Sequence, residues 1–344
     1  MRRLRAACLA AVAATSAGAA PAPEVTHSIL PFADLAGWQD TDHEAARDVF
    51  LSTCRDMRAT QWPELCAMAA RPFDARLFFE TFFRPVLIEN GADGLFTGYF
   101  EPELRGARTP DDRFRYPLYA LPPEIEAGKP WHSRAEIETD ALLADRDLEI
   151  AWLEDPVDAF FLQIQGSGRI RMQDGSLVRV GYAGKNGRDY RSIGKELVRR
   201  GEFEAHEVSA DVIRNWVRKN GEEGLKLLHH NPSYVFFREV SEVPADKGPL
   251  GAMNRSITAM QSVAIDPAYV PLGAPVWIEK EGAEPLHRLM IAQDTGSAIK
   301  GPQRADIFFG TGRQAGKAAG QIRDPGRIVV LLPIQTAYAL VPGS

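Results

Sequence analysis

Two aspartates near the C-terminal end of this 344-residue chain frame a glycine-rich loop. Asp294-Thr-Gly-Ser-Ala-Ile-Lys-Gly301 follows the apolar run Leu289-Met-Ile-Ala292, and Arg304-Ala-Asp306 leads straight into Ile307-Phe-Phe309. The apolar runs predict two short strands, which puts both carboxylates at strand ends facing one loop. Carboxyls gathered in a partly dry pocket cannot both ionise freely, so one of them holds a proton near neutral pH and is a candidate general acid. The plainer reading makes both of them turn-forming aspartates bonded to nearby backbone. Against it stands Asp266, in Ser262-Val-Ala-Ile-Asp266-Pro-Ala-Tyr-Val-Pro-Leu-Gly273, which closes a third apolar segment. Three aspartates then end three neighbouring strands.

Asp294-Thr295-Gly296-Ser297 also has the form of an aspartic-protease loop, and those enzymes share one proton between carboxylates from two such loops. No second Asp-Thr/Ser-Gly occurs here, Asp174-Gly-Ser176 lacks the middle residue, and a dimeric protease would leave residues 23–250 without a role. Nucleotide motifs fail as well. Gln165-Gly166-Ser-Gly168-Arg-Ile-Arg171 carries Arg171 where a dinucleotide loop needs its third glycine. Before and after Gly184-Lys185, Arg179 and Asn186 replace the first glycine and the hydroxyl residue of a phosphate loop. The histidines include one adjacent pair, His229-His230, and no His-x-x-x-His spacing, so no metal or other cofactor is expected.

The elements that must position these groups begin after an export signal. Residues 1–22 carry Arg2, Arg3 and Arg5, an apolar stretch from Ala6 to Ala14, and small-residue sites at Ala17-Gly-Ala19 and Ala20-Pro-Ala22, as a cleavable signal peptide does. Nothing later supplies the ~20 consecutive apolar residues of a membrane span. Cys8 precedes most of the apolar stretch and is a poor lipid-anchor cysteine, so a released, periplasmic protein is expected. Losing three arginines takes the formal net charge from -6 to about -9, which argues against a nucleic-acid partner. Cys54 and Cys66 remain, an even pair in an oxidising compartment. A continuous helix would hold them roughly 18 Å apart. The Trp62-Pro63 break lets two helices fold back, and a disulfide becomes reachable.

The remaining length suggests about two domains. Residues 43–90 are helical in pattern; Gly94–Phe100 reads as a strand and Glu101–Gly106 as a change of direction. Ala159–Gln165 reads as a strand whose alternation puts Gln163 and Gln165 on one face, and Arg169–Val180 as a hairpin around Asp174-Gly175. Helices follow at Ser192–Arg200 and at Asp211–Lys219, the second capped by Ser209, then a strand at Tyr234–Phe237. Short strands dominate from Ser256, with a small-residue helix at Gln314–Ile322 and a last strand at Arg327–Leu332. Many short strands with few long helices predict a mainly β protein built on barrels.

Gly94-Leu-Phe-Thr-Gly-Tyr-Phe-Glu-Pro102, Phe161-Leu-Gln-Ile-Gln-Gly-Ser-Gly-Arg169, Gly181-Tyr-Ala-Gly-Lys-Asn-Gly-Arg188, Asn231-Pro-Ser-Tyr-Val-Phe-Phe237 and the three-aspartate segment together resemble the membrane-bound lytic murein transglycosylase A family. The resemblance implies a double-psi β-barrel domain from residues 23–105 and 243–344, with helices at its N-terminal end. A second β-barrel, the glycan-binding domain, is inserted at 106–242, and a groove runs between the two. It implies non-hydrolytic cleavage of peptidoglycan glycan strands by a monomer, with cell-wall synthesis or division proteins as partners. Asp306 matches the family's single catalytic acid and Asp294 its supporting aspartate; Asp266 matches a third aspartate grouped with the substrate-binding residues. Thr97, Gly98 and Tyr99 match the glycan-lining strand, and Gln163, Gln165 and Ser167 the inserted domain's contribution. Two departures stand out: the family's lipid-anchor cysteine is missing, and Gly296-Ser297 replaces Gly-Gly.

One carboxyl suffices for such chemistry, whereas a glycosidase that uses water needs two. Tyr99, Phe236, Phe237, Phe308 and Phe309 offer apolar platforms for sugar faces or else simply pack the core. A non-catalytic glycan-binding protein would use the same groove.

Overall fold

The computed structural model describes residues 24–57 and 61–341; the expected signal peptide and Cys8 lie outside them. The described chain opens on the short strand Thr26–Ile29, and three α-helices come before the next strand. Asp42 caps His43–Thr53 by accepting from the Ala45 amide, Pro63 sits in the first turn of Trp62–Ala69, and Asp74 caps Ala75–Phe82 through the Leu77 amide. The break at Trp62-Pro63 brings the first two together, and Cys54 and Cys66 are disulfide-bonded with Cα atoms 5.6 Å apart. The helical pattern read over 43–90 ends at Phe82. Phe83 is extended, and Phe83–Glu89 is a strand held between Thr26–Ile29 and Gly326–Pro333.

Among the described residues the strands form two sheets, and the protein is a mixed helix and sheet structure with more helix than a mainly β reading allows. The larger sheet has nine strands, in the order Thr26–Ile29, Phe83–Glu89, Gly326–Pro333, Pro275–Lys280, Leu286–Thr295, Ser262–Ile265, Arg304–Thr311, Leu95–Glu101 and Arg323–Asp324. Its central strands carry the buried apolar runs Val263–Ile265, Pro275–Ile278 and Ile328–Pro333, which is the composition of strands covered on both faces. They pack with Phe50, Phe78 and Phe79 of the helical segment and with Phe83 into one core.

The second sheet has six strands, in the order Tyr116–Tyr119, Glu149–Leu153, Glu103–Ala107, Ser167–Met172, Leu177–Lys185 and Val235–Glu239. Neither sheet closes in its hydrogen-bonded order, in contrast to the closed barrels expected, although an isolated bridge joins Ala120 to Phe237. The hairpin turns at Gly175, whose φ of 84° is the left-handed conformation that glycine adopts without strain. Glu101–Gly106, read as a turn, instead runs on into the strand Glu103–Ala107.

The largest correction concerns residues 159–165, which are helical and not a strand. Asp155 accepts from the Val157 amide, Pro156 occupies the first turn, and Gly166 at φ 76° ends the helix Pro156–Gln165. These start and stop signals override an apolar run that is compatible with either structure. Two positions apart on a helix point in nearly opposite directions, so Gln163 and Gln165 do not share a face.

Candidate active site

Three strands bring the two aspartates together. Ser262–Ile265 lies between Leu286–Thr295, to which it is parallel, and Arg304–Thr311, to which it is antiparallel; Ala264 is the register partner of both Asp294 and Asp306. On the far side of Arg304–Thr311 the parallel strand Leu95–Glu101 sets Thr97 opposite Asp306. Asp306 sits two residues inside its strand, not ahead of it. Residues 304, 306 and 308 therefore share a face with Thr97 and Tyr99, while Ala305 and Ile307 enter the core.

The Thr97 hydroxyl donates to Asp306 Oδ1 at 2.5 Å and accepts from Arg304 Nη2 at 2.7 Å. No other described group bonds the Asp306 carboxyl. Burial raises its pKa from 3.8 to about 6, against the pull of the Thr97 hydrogen bond and the Arg304 charge, with the charge of Asp294 adding to the rise. Burial likewise holds the Arg304 guanidinium below its usual range, opposed by Asp306.

Asp294 is differently dressed. Tyr99 Oη donates to its Oδ2 at 2.8 Å, and the amides of Ala252 and Thr295 donate to its Oδ1 at 3.0 and 2.9 Å. Burial raises its pKa, and those three donors, which favour the anion, oppose the rise. Burial and then Asp294 drive the Tyr99 phenol well above its usual value, so Tyr99 is a permanent donor.

The remaining predicted residues divide. Asp266 is buried and ties down the loop between the two aspartates: its Oδ2 accepts from the Gly301 amide at 2.9 Å, its Oδ1 from the Ala268 amide at 3.2 Å. Lys300 lies 3.8 Å away. Gly98 faces away from Asp306. A Cβ there would stand 2.7 Å from Ala319 Cα and 2.8 Å from the Phe309 ring, so glycine is needed for the helix Gly312–Ala319 to approach.

Gln163 is buried. It accepts from Arg134 Nη2 at 2.6 Å and from the Val235 amide, while the Arg134 guanidinium is clamped between the Phe160 and Tyr234 rings. Gln165 Oε1 accepts from the Phe100 amide at 3.0 Å and fastens the inserted helix to the strand beside the site. Ser167 is buried in the hairpin, opposite Gly181. Of the five proposed aromatic platforms, Tyr99, Phe236, Phe237 and Phe308 are buried and pack the cores.

Sequence reasoning missed three features. Arg304 had a signal, since it lies two before Asp306 on a strand. Ala252 had none, because its contribution is a backbone amide. The third is a buried junction: Glu101, with no exposed surface, pairs with Arg169 at 2.8 Å and Arg179 at 3.0 Å and accepts from Thr311 Oγ1 at 2.7 Å, joining strands of both sheets.

Comparison with known proteins gives a consistent picture. Residues 95–238 match the model of the MltA specific insert domain and residues 261–332 that of the 3D domain. A protein named membrane-bound lytic murein transglycosylase A from Vibrio cholerae is 38% identical over 263 residues, covering 72% of this chain and 69% of its own length. A membrane-bound lytic murein transglycosylase from Agrobacterium tumefaciens superposes with a TM-score of 0.83 at 32% identity, over 92% of this chain and 99% of the other. The Escherichia coli MltA structure with bound chitohexaose does so with a TM-score of 0.72 at 31% identity, over 89% of this chain and 94% of the other.

Proposed function

Because this chain belongs to the membrane-bound lytic murein transglycosylase A family, we propose that it cleaves the β-1,4 bond between N-acetylmuramic acid and N-acetylglucosamine in peptidoglycan without water, using Asp306 as acid and then as base. The observation that carries this reading is the contrast between the two carboxyls. Asp306, with its pKa raised to about 6, has one oxygen on Thr97 and the other free for a substrate, whereas both oxygens of Asp294 are occupied. A glycosidase that activates water needs a second available carboxylate. A protease dyad needs carboxyls sharing a proton, and here each is bonded to a different hydroxyl.

Protonated Asp306 donates to the glycosidic oxygen, the C1–O4 bond breaks, and positive charge develops at the muramyl C1. The Asp306 carboxylate then takes the proton of that sugar's C6 hydroxyl as its oxygen bonds C1, closing a 1,6-anhydro ring and restoring the acid. The nucleophile belongs to the same sugar, so its effective concentration is high without a water-activating base. Thr97 holds Asp306 in place, and Asp294 with Tyr99 supports its pKa.

The reading extends to the frame. The family's double-psi barrel is assigned to residues 23–105 and 243–344 and its glycan-binding insert to 106–242; the parallel pairings of Ser262–Ile265 with Leu286–Thr295 and of Arg304–Thr311 with Leu95–Glu101 support the first. Export to the periplasm is part of the proposal. Among the described residues no helix is long and apolar enough to cross a membrane.

Purified protein incubated with isolated sacculi tests the reaction by mass spectrometry. Release of 1,6-anhydro-muropeptides is expected; hydrated reducing ends would indicate a hydrolase, and binding without soluble product a non-catalytic glycan-binding protein.

A further inference from the structure

A cavity of about 820 Å³ lies on the Asp306 face of the strand Arg304–Thr311, and its lining includes Phe308 and Thr311. Neither aspartate of the site lines it. Its other walls come from the helix His43–Thr53 through Asp48, from the inserted sheet through Arg169, and from the segment returning from the insert through Asp246 and Lys247. Asp48, Asp246 and Lys247 form no ion pair with any described residue. Arg169 is already engaged by Glu101.

The wall carrying Lys247 is built rather than incidental. Its carbonyl accepts from Arg169 Nη2 at 3.1 Å and from Arg179 Nη2 at 2.6 Å, and both guanidiniums are anchored on the fully buried Glu101. Three charged residues with no ion-pair partner among the described residues, beside the paired Arg169 and Arg255, therefore line a space of the size that small ligands occupy, ~300–1,000 Å³, with the backbone of one of them, Lys247, pinned from within.

A neutral N-acetyl sugar offers such groups hydrogen bonds but no opposite charge. The peptide stem on the muramyl lactyl group does: it presents free carboxylates and, where its third residue is a diamino acid, an ammonium. On the reading that the chain cleaves peptidoglycan, we infer that this cavity receives the stem peptide of a muramyl residue in the groove, with Lys247 pairing a stem carboxylate and Asp48 and Asp246 facing its ammonium. The site thus recognises peptide-bearing strands beyond the sugar contacts at Asp306.

The experiment compares two substrates, peptide-bearing glycan strands and the same strands stripped by an amidase, using the full chain and its Lys247→Ala and Asp48→Asn/Asp246→Asn variants. All three positions are on the surface, and thermal melting checks folding. Lost charge-assisted bonds should raise KM on peptide-bearing strands about tenfold for Lys247→Ala, while KM on stripped strands moves by less than about twofold. Free stem peptide released by the amidase should inhibit the parent and not Lys247→Ala. Equal changes on both substrates, or none on either, overturn the cavity as a peptide site while leaving the transglycosylase reading intact. Failure of the parent to release anhydro product from either substrate overturns that reading, and this inference with it.

Discussion

Asp306→Asn keeps the side-chain shape and an Oδ1 acceptor for the Thr97 hydroxyl, and removes the proton that the proposed reaction moves. The parent carries a cost that the variant lacks. Burial holds the Asp306 carboxyl at about 6, against an ordinary 3.8, and at ~1.4 kcal/mol per tenfold change in acidity that gap is worth roughly 3 kcal/mol in favour of the neutral form. The folded state binds this proton more tightly than the unfolded chain does. The parent's stability therefore falls as pH rises from 3.8 to about 6, with the full penalty standing above that window. Asparagine has no such dependence. Urea denaturation should find the variant more stable than the parent by up to ~3 kcal/mol at about pH 8 and by little below about pH 4. Anhydro-muropeptide release should drop by at least the roughly 100- to 10,000-fold that a lost general acid costs. Near-parental turnover would move the acid elsewhere. An equal stability gain at both pH values would show that the side chain is not held protonated by its surroundings.

Asp294→Asn removes a charge that raises the Asp306 pKa, so the alkaline limb of the kcat/KM profile should move to lower pH with a smaller loss of turnover than Asp306→Asn causes. A pH–rate series on both proteins decides it. Gln163→Ala takes an acceptor from the buried Arg134 guanidinium and should cost about 1–3 kcal/mol by chemical denaturation while turnover per folded molecule is kept; selective loss of glycan binding would return Gln163 to the groove. Replacing Cys54 and Cys66 together by serine opens a crosslink of sequence separation 12 and should lower stability by about 3 kcal/mol. Thiol titration of the unreduced parent should find neither cysteine free.

The sequence made the aspartates legible because each closes an apolar run, and strand pairing through Ala264 turns that pattern into proximity. The helix break at Trp62-Pro63 and the cap Ser209 are equally local signals, while Ser192, read as the first helical residue, is the cap of Ile193–Arg199. Pro156–Gln165 was misread although its punctuation was present: Asp155-Pro156 and Gly166 mark a helix, while Ala159-Phe-Phe-Leu162 suits a buried strand as well. The consequence passed directly to function, since a two-residue period placed Gln163 and Gln165 on one groove face. The helical period buries the first beneath Arg134 and leaves the second fastening strand Leu95–Glu101. Glu101 could not be found at all, because its two arginines lie 68 and 78 residues away and meet it only through the packing of one sheet on the other.

Asp294 and Asp306 start from the same position in the fold, each opposite Ala264, and acquire different chemistry from what the next strands and loops bring. Leu95–Glu101 supplies Asp306 with a single hydroxyl, polarised by the Arg304 guanidinium from which it accepts, and burial outweighs that one donor and the Arg304 charge. Asp294 receives Tyr99 from the same strand, the Ala252 amide from the segment covering the sheet, and the Thr295 amide from its own turn. Three donors stabilise a carboxylate and fill three of its roughly four lone-pair sites, which lowers its basicity toward a water. Of the pair, one can give and take a proton and the other can only hold charge beside it. In the proposed reaction that division leaves the nucleophile to the substrate, where the C6 hydroxyl of a muramyl residue is already within reach of its own C1.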